Sequence, residues 1–456
     1  DEPAVIGRGG GVRWSLAEAR ELAAEAAQVP QSLEGPGGGA PSGGLATELR
    51  RRAGHVPLLR LPFPAGGTAP EPYDTVVILP LRDAAARDLV ERLLDGIDAA
   101  LLLTLPGLAE VVVETPQGVR TLRRRPATAA AAADVGPAAP VLADLSSVAD
   151  TVIEDTRDGT TRWRTVHGRG LLDEKLLTDR PVEERLRPHW AVTWAVPVDA
   201  TGAPGRLALA PVVHAPTPSD EPLGVPALLI ASLPMDSTRR HAAPGPLTDF
   251  LVERAADAYA ALLAAWQPVS TGIIDLVPGA LGTSELDGAL RRAILDRLPR
   301  TAFLPPALPA APAATADRPA DQTPDTELLW PAQDTGGAPG TTALRPRDAE
   351  IVEGAGAETV RVLAEVLPSL LPAGLERRVE LRTLGIARVP LIEAIDRLAG
   401  LERGPGWWWR LYDSLAGVDP ERLSGLPVPL AAPSARGPAG AVEAGERGSV
   451  TVPRTT

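Results

Sequence analysis

The chain contains no cysteine and no asparagine, and Lys175 is its sole lysine. Without cysteine there are no disulfides, no thiolate nucleophiles and no cysteine metal sites. The same absence fits a reducing setting, so the expected location is cytoplasmic. Aromatic residues are only 3% of 456, so each of the nine tryptophans matters as a core or contact residue. No apolar run reaches the roughly 18 residues that span a bilayer, and no signal-peptide pattern opens the chain. These features predict no membrane partner. A basic balance is missing too. The net charge of −13 lacks the footprint of sequence-independent nucleic-acid binding. Scarce lysine and asparagine beside abundant arginine read as a GC-rich coding bias. The first residue is Asp1, not methionine, and a fragment of a longer protein is the expectation.

What is present is enough for two or three domains. The hydrophobic fraction is 44%, much of it alanine. Three stretches read as linkers: EGPGGGAPSGG (34–44), RPATAAAAADVGPAAP (125–140) and the Pro/Ala-rich run 304–344. The last is too long for a loop inside one compact domain and predicts a boundary. SLAEARELAAEAAQ (15–28) carries Ser15 with Glu18 three residues on, a capping box that predicts a helix. Residues 83–105 and 246–266 are also helical in pattern. YDTVVILPLR (73–82) reads as a strand destined for a core, and AEVVVET (109–115) as another. TRWRTVHG and HWAVTWAVPVD alternate, which predicts Trp163, Trp190 and Trp194 on buried faces. GVPALLIASLPM (224–235) is a further strand. Beyond the third linker, 347–367, RVPLIEAIDRLAG and the region of GWWWRLYDSL read as helices. Strands followed by helices predict an α+β fold.

Most chemical motifs are missing. There is no G-x-x-x-x-G-K-[ST] and no H-E-x-x-H. GRGGGV (7–12) reads as a hairpin turn, with a phosphate cradle as the alternative. His55, His167, His189, His214 and His241 show no metal-ligand spacing, so no metal site is predicted. SDEP (219–222) reads as a solvated turn. Three adjacent tryptophans, 407–409, cannot all point inward, so at least one should be exposed or at an interface. One segment stands out. LPMDSTRRH (233–241) follows a buried-looking strand and precedes a helix. It places Arg239 and Arg240 where a planar fork of donors could hold a phosphoryl oxygen.

LPMDSTRR resembles the middle-domain segment of heat-shock-protein-90-type chaperones that carries the arginine reaching the ATP γ-phosphate. It is also similar to the S-N-R-R segment of sacsin repeats. DEPAVI resembles the stretch just after the ATP lid of sacsin-like proteins, and YDTVVILPLR their G-T-x-[FV]-x-L-P-L-R strand. The following block, 82–114, is similar to their helix, hydrophobic run and closing strand. The resemblance covers about residues 1–266 and points to an actinobacterial-style sacsin-like protein with a GHKL ATPase head.

It implies the following organisation. Residues 1–115 would be the remainder of a GHKL-type α/β sandwich, 116–140 a linker and 141–303 an α/β middle domain. Residues 304–344 would be a linker, 345–431 a helical C-terminal domain and 432–456 a disordered tail. Arg239 would be the γ-phosphate arm, with Arg240 as the neighbouring alternative. Thr75 would lie at the adenine end, although Asp74 replaces the family's glycine. ATP and magnesium would serve the full-length parent. The family's Glu and Asn of the first helix and its D-x-G pair fall upstream of DEPAVI, so this chain alone should not hold nucleotide tightly or hydrolyse it. The implied activity is ATP hydrolysis in a chaperone-like protein or conformational switch with protein clients or partner subunits. The alternatives are a non-catalytic binding scaffold, with 407–409 as its contact patch, and a sensor component of bacterial defence.

Overall fold

A computed structural model describes residues 2–28, 61–126, 148–208, 211–215, 217–308, 343–418, 423 and 426–428. The linker segment 34–44, most of the two later linkers and the expected tail lie outside the described residues. The fold is mixed α+β, in two compact units, Asp1–Ile97 and Asp98–Thr456.

In the first unit β1 (Ala4–Gly7) and β2 (Gly10–Arg13) form a hairpin. Gly10 has φ 129°, a conformation that any side chain would strain, so GRGGGV makes the turn its glycines predict. With β3 (Phe63–Ala65) and β4 (Thr75–Ile78) they build a sheet of order β3-β2-β1-β4. Ser15 Oγ accepts from Glu18 N at 3.3 Å and starts α1 (Leu16–Gln28). Asp83 caps α2 (Ala84–Asp95) by accepting from Ala86 N at 2.8 Å. Gly96 ends α2, so the expected helix 83–105 is two helices, the second being α3 (Ala99–Thr104) in the other unit.

β4 corrects one expectation. YDTVVILPLR forms its strand but does not enter a core: Val77 is 60% exposed and Leu79 71%. β4 is an edge strand, paired only with β1, and Thr75, Val77 and Ile78 are exposed while Val76 is half-buried. Strand propensity is local, whereas burial requires a covering layer.

The second unit is built on an eight-stranded sheet of order β11-β10-β12-β9-β8-β7-β6-β5. Its strands are β5 (Glu110–Thr115), β6 (Gly118–Pro126), β7 (Ala149–Asp155), β8 (Gly159–Leu171), β9 (His189–Val198), β10 (Val212–His214), β11 (Pro218–Pro222) and β12 (Leu228–Ala231). β5 to β9 form an antiparallel meander, and β10 pairs in parallel with β12. The expected boundary at 115/116 falls in the turn of the β5–β6 hairpin, where Thr115 faces Gly118. Residues 118–126 of the expected linker are therefore strand β6, and the hairpin joins β5 to the larger sheet.

α4 (Val182–Arg185) follows β8, and α5 (Pro246–Ala264) lies across β8 and β9. Trp190 and Trp194 are buried beneath it, and Trp163 is buried elsewhere on the sheet, as their alternation predicts. The Trp194 indole N–H donates to Ala255 O at 2.8 Å, and its ring meets Tyr259 edge-on with centroids 4.8 Å apart. Tyr259, fully buried, donates to Leu276 O at 2.6 Å, and burial pushes its phenol far above the usual range. Each such large side chain contributes about 1.5–3 kcal/mol by leaving water. α6 (Glu285–Arg297) packs against α5, and α3 lies on β6 and β7.

The C-terminal part, expected to be helical, also contains a two-stranded sheet. β13 (Glu350–Glu353) and β14 (Ala387–Pro390) pair in parallel, in segments expected to be helix. α7 (Ala357–Ala364), α8 (Val379–Thr383), α9 (Leu391–Asp396) and α10 (Pro405–Ser414) complete it. Ile351 of β13 joins the main core, while Val352 faces a second core with Val389, Trp407 and Trp408. Leu304 and Leu344 hydrogen-bond to each other at both ends of the Pro/Ala-rich run. The shared core and this closure place the flanks of 304–344 in one unit, where the sequence predicts a boundary.

Candidate functional site

The segment 233–241 lies beyond the end of β12, in a tight turn that leads into α5. Met235 bridges Ala242, and Asp236 N donates to His241 O at 2.9 Å. Inside this frame the Asp236 carboxylate accepts from Thr238 Oγ1 at 2.8 Å and from Arg240 N at 3.1 Å. Aspartate is suited to this because its short side chain imitates a backbone turn. The Thr238 hydroxyl, helped by the backbone N–H groups of Arg240 and His241, holds the Asp236 carboxyl below its ordinary range.

The turn forces Arg239 to φ 58°, the sole non-glycine positive φ among the described residues. A residue with a Cβ rarely adopts that conformation, and here the surrounding hydrogen bonds impose it. The two arginines then divide. Arg240 Nε donates to Asp220 Oδ2 at 2.6 Å, and its carbonyl accepts from Asp220 N at 2.8 Å. Arg239 N donates to Asp236 O at 3.0 Å, but its exposed side chain has no hydrogen-bond or ion-pair partner among the described residues. On an extended strand end, two adjacent side chains would point to opposite faces. The turn separates them instead by backbone conformation and by the partner each one has.

SDEP is not a solvated turn. It forms β11, at one edge of the large sheet, with Ser219 and Glu221 buried. The flanking prolines suit an edge strand, whose outer N–H groups need no partner strand. Glu221 Oε1 accepts from Ala242 N at 3.1 Å and lies 3.3 Å from His241 Nδ1. Asp220 and Glu221 thus anchor the arginine turn along the edge of β11. Nothing in the local sequence links 220–221 to 240–242, and PSDEP carries no apolar alternation that would mark a strand.

Thr75 lies in the other unit. It is exposed on β4, opposite Gly7, and the neighbouring Asp74 pairs with Arg8. Among the described residues no group of three His, Asp or Glu side chains could hold a metal ion. No described helix is long and apolar enough to cross a membrane. No family model matches the chain, and no curated protein or solved structure matches it either.

Replacing Asp236 with alanine should loosen this turn without unfolding the sheet. Amide exchange at Arg240 should accelerate by about tenfold or more, while exchange in α5 stays unchanged. Unchanged exchange at Arg240 would show that the backbone alone holds the turn.

Proposed function

We propose that this chain is the phosphate-sensing part of a sacsin-like, heat-shock-protein-90-type switch driven by ATP. Arg239 is its arm to the γ-phosphate. The observation that carries the reading is the division of the arginine pair: Arg240 is tied to Asp220, and Arg239 is held outward with its guanidinium uncommitted. A guanidinium offers phosphoryl oxygens a fixed fork of donors. Because the Asp236 turn sets its backbone in advance, less ordering is left for the moment of contact.

An uncommitted guanidinium suits a phosphoryl oxygen, and the reading asks no magnesium ligand of this turn. On the resemblance, magnesium and the main adenine contact belong to the family's ATP-pocket motifs, and Thr75 would lie near the adenine end. When bound, ATP supplies the phosphoryl group that is transferred to water. Arg239 neutralises charge on that group, Asp236 orients Arg239, and Arg240 with Asp220 fixes the turn to the sheet. Clients or partner subunits would respond to closure of the arm.

Substitution of Arg239 in the longer protein tests this reading, with the outcome set out in the Discussion. This chain by itself should bind Mg-ATP only weakly, since it has no asparagine to serve the magnesium side. Calorimetric titration checks this. A Kd of about 1 μM, near −8 kcal/mol, would mean that a complete pocket lies within these residues.

A further inference from the structure

The aromatic face of α10 is only partly used by the core. Trp407 and Trp408 are buried in it, but Trp409 is 65% exposed. Helical spacing places Trp409 and Trp408 beside Tyr412, three and four residues on. The Trp408 and Tyr412 rings are 6.0 Å apart with a tilt of 34°. Tyr412 is also engaged: its hydroxyl donates to the Pro427 carbonyl at 2.7 Å. Leu426, the residue before that proline, packs against the same core. One carbonyl of a Leu-Pro-Val-Pro run is thus already held on this face.

We propose that Trp409 and Tyr412 form a docking site for extended proline-rich segments of the Leu-Pro-x-Pro type. The chain's own Leu426 and Pro427 occupy the Tyr412 half in cis, and a partner's proline-rich segment takes the whole face by displacing them. Proline carries a carbonyl acceptor and no N–H, so a surface that reads it needs donors and flat apolar area. Tyr412 and Trp409 supply both. A polyproline helix makes no internal hydrogen bonds, which leaves its carbonyls available. The spacing also agrees. Prolines two residues apart lie about 6 Å apart along such a helix, and side chains three apart on an α-helix are about 5–6 Å apart. With Tyr412 on one carbonyl, Trp409 lies within reach of the next proline ring. Aromatic-lined docking of pre-extended segments has a low ordering cost. This site uses no nucleotide and stands or falls apart from Arg239.

The test is fluorescence anisotropy with the full chain and a labelled peptide copying residues 424–433, SGLPVPLAAP. Pro427→Ala keeps the carbonyl that Tyr412 binds but frees the backbone that presents it, so this variant should bind the peptide about threefold or more tightly than wild type. A peptide with its prolines changed to alanine should bind about tenfold more weakly. Trp409→Ala in the Pro427→Ala background should lose about tenfold, and Tyr412→Phe should weaken binding in the same direction. Trp409 is exposed, so its removal should leave folding intact, and near-ultraviolet dichroism verifies this. No saturation of Pro427→Ala up to ~1 mM peptide would overturn the proposal. So would equal affinity for the proline and alanine peptides, or binding indifferent to Trp409→Ala. Self-association removed by Trp409→Ala, without peptide binding, would reassign the face to a second copy of the chain.

Discussion

Gly224→Ala is expected to destabilise the Asp98–Thr456 unit by about 3–5 kcal/mol, the cost of leaving a buried ion pair without one partner. A Cβ at this position would overlap the guanidinium of Arg291. Arg291 has little freedom to withdraw. Its Nε donates to Asp287 Oδ2 at 3.0 Å and its Nη1 to Gly279 O at 3.0 Å, and the residue is buried. Asp287 is 1% exposed and also accepts from Gly224 N at 2.8 Å and Thr283 N at 2.9 Å. One carboxylate therefore ties the loop after β11, the loop before α6 and α6 itself. Expelling the guanidinium would leave that charge in the interior with neutral donors only. Urea unfolding followed by tryptophan fluorescence reads the effect, since Trp190, Trp194 and Trp266 lie in this core. A loss below about 1 kcal/mol would show that Arg291 finds another place, and the staple would carry no special weight.

The same staple has a pH signature. Burial pushes the Asp287 carboxyl up, but the hydrogen bonds from Thr283, Arg291 and Gly224 outweigh it and the net direction is down. A depressed folded value means that the stabilisation is present above the unfolded carboxyl range of about 3.9. It is lost as pH falls through the folded value. The difference between wild type and Gly224→Ala should therefore shrink below about pH 4.

If the proposed reading holds, Arg239→Ala, in a protein that joins this chain to a nucleotide pocket, should lower ATP turnover by about tenfold to a thousandfold, with little change in nucleotide affinity. An arm that meets the phosphate only after closure stabilises the transition state more than the bound ground state. Arg240→Ala should have a smaller effect on turnover, because its guanidinium is already engaged with Asp220 on the surface. Its loss acts through the position of the turn. Steady-state turnover and nucleotide titration of both variants at matched folding separate the roles. Equal turnover in wild type and Arg239→Ala would remove the phosphate arm. A larger loss in Arg240→Ala than in Arg239→Ala would move the assignment to its neighbour.

Much of the architecture was legible because it is local. The Ser15 box starts α1, Asp83 and Gly96 bracket α2, and the alternation around Trp163, Trp190 and Trp194 marks their burial. Within 347–367 and RVPLIEAIDRLAG the expected helices form as α7 and α9, but the leading residues 350–353 and 388–390 are strand, since short apolar runs suit either a helix or a buried strand. β13 becomes a strand because Ala387–Pro390 lies beside it in parallel, more than thirty residues away in sequence. The Pro/Ala-rich run resembled a boundary because its composition is linker-like, while the pairing of Leu304 with Leu344 depends on residues at its two ends.

The candidate site divides in the same way. The sequence by itself determined the α+β class, the main helices and the presence of two adjacent arginines between a strand and a helix. Each of these follows from periodicity, caps or residue type within one stretch of chain. Tertiary structure alone decided that β4 would be exposed, that SDEP would become an edge strand, and that Arg240 would be tied while Arg239 was left outward. Those outcomes rest on which distant backbone and carboxylate groups meet. A hydrogen bond from Arg240 to Asp220 or from Ala242 to Glu221 joins residues about twenty apart in the chain. Only the folded sheet brings them within its roughly 3 Å reach.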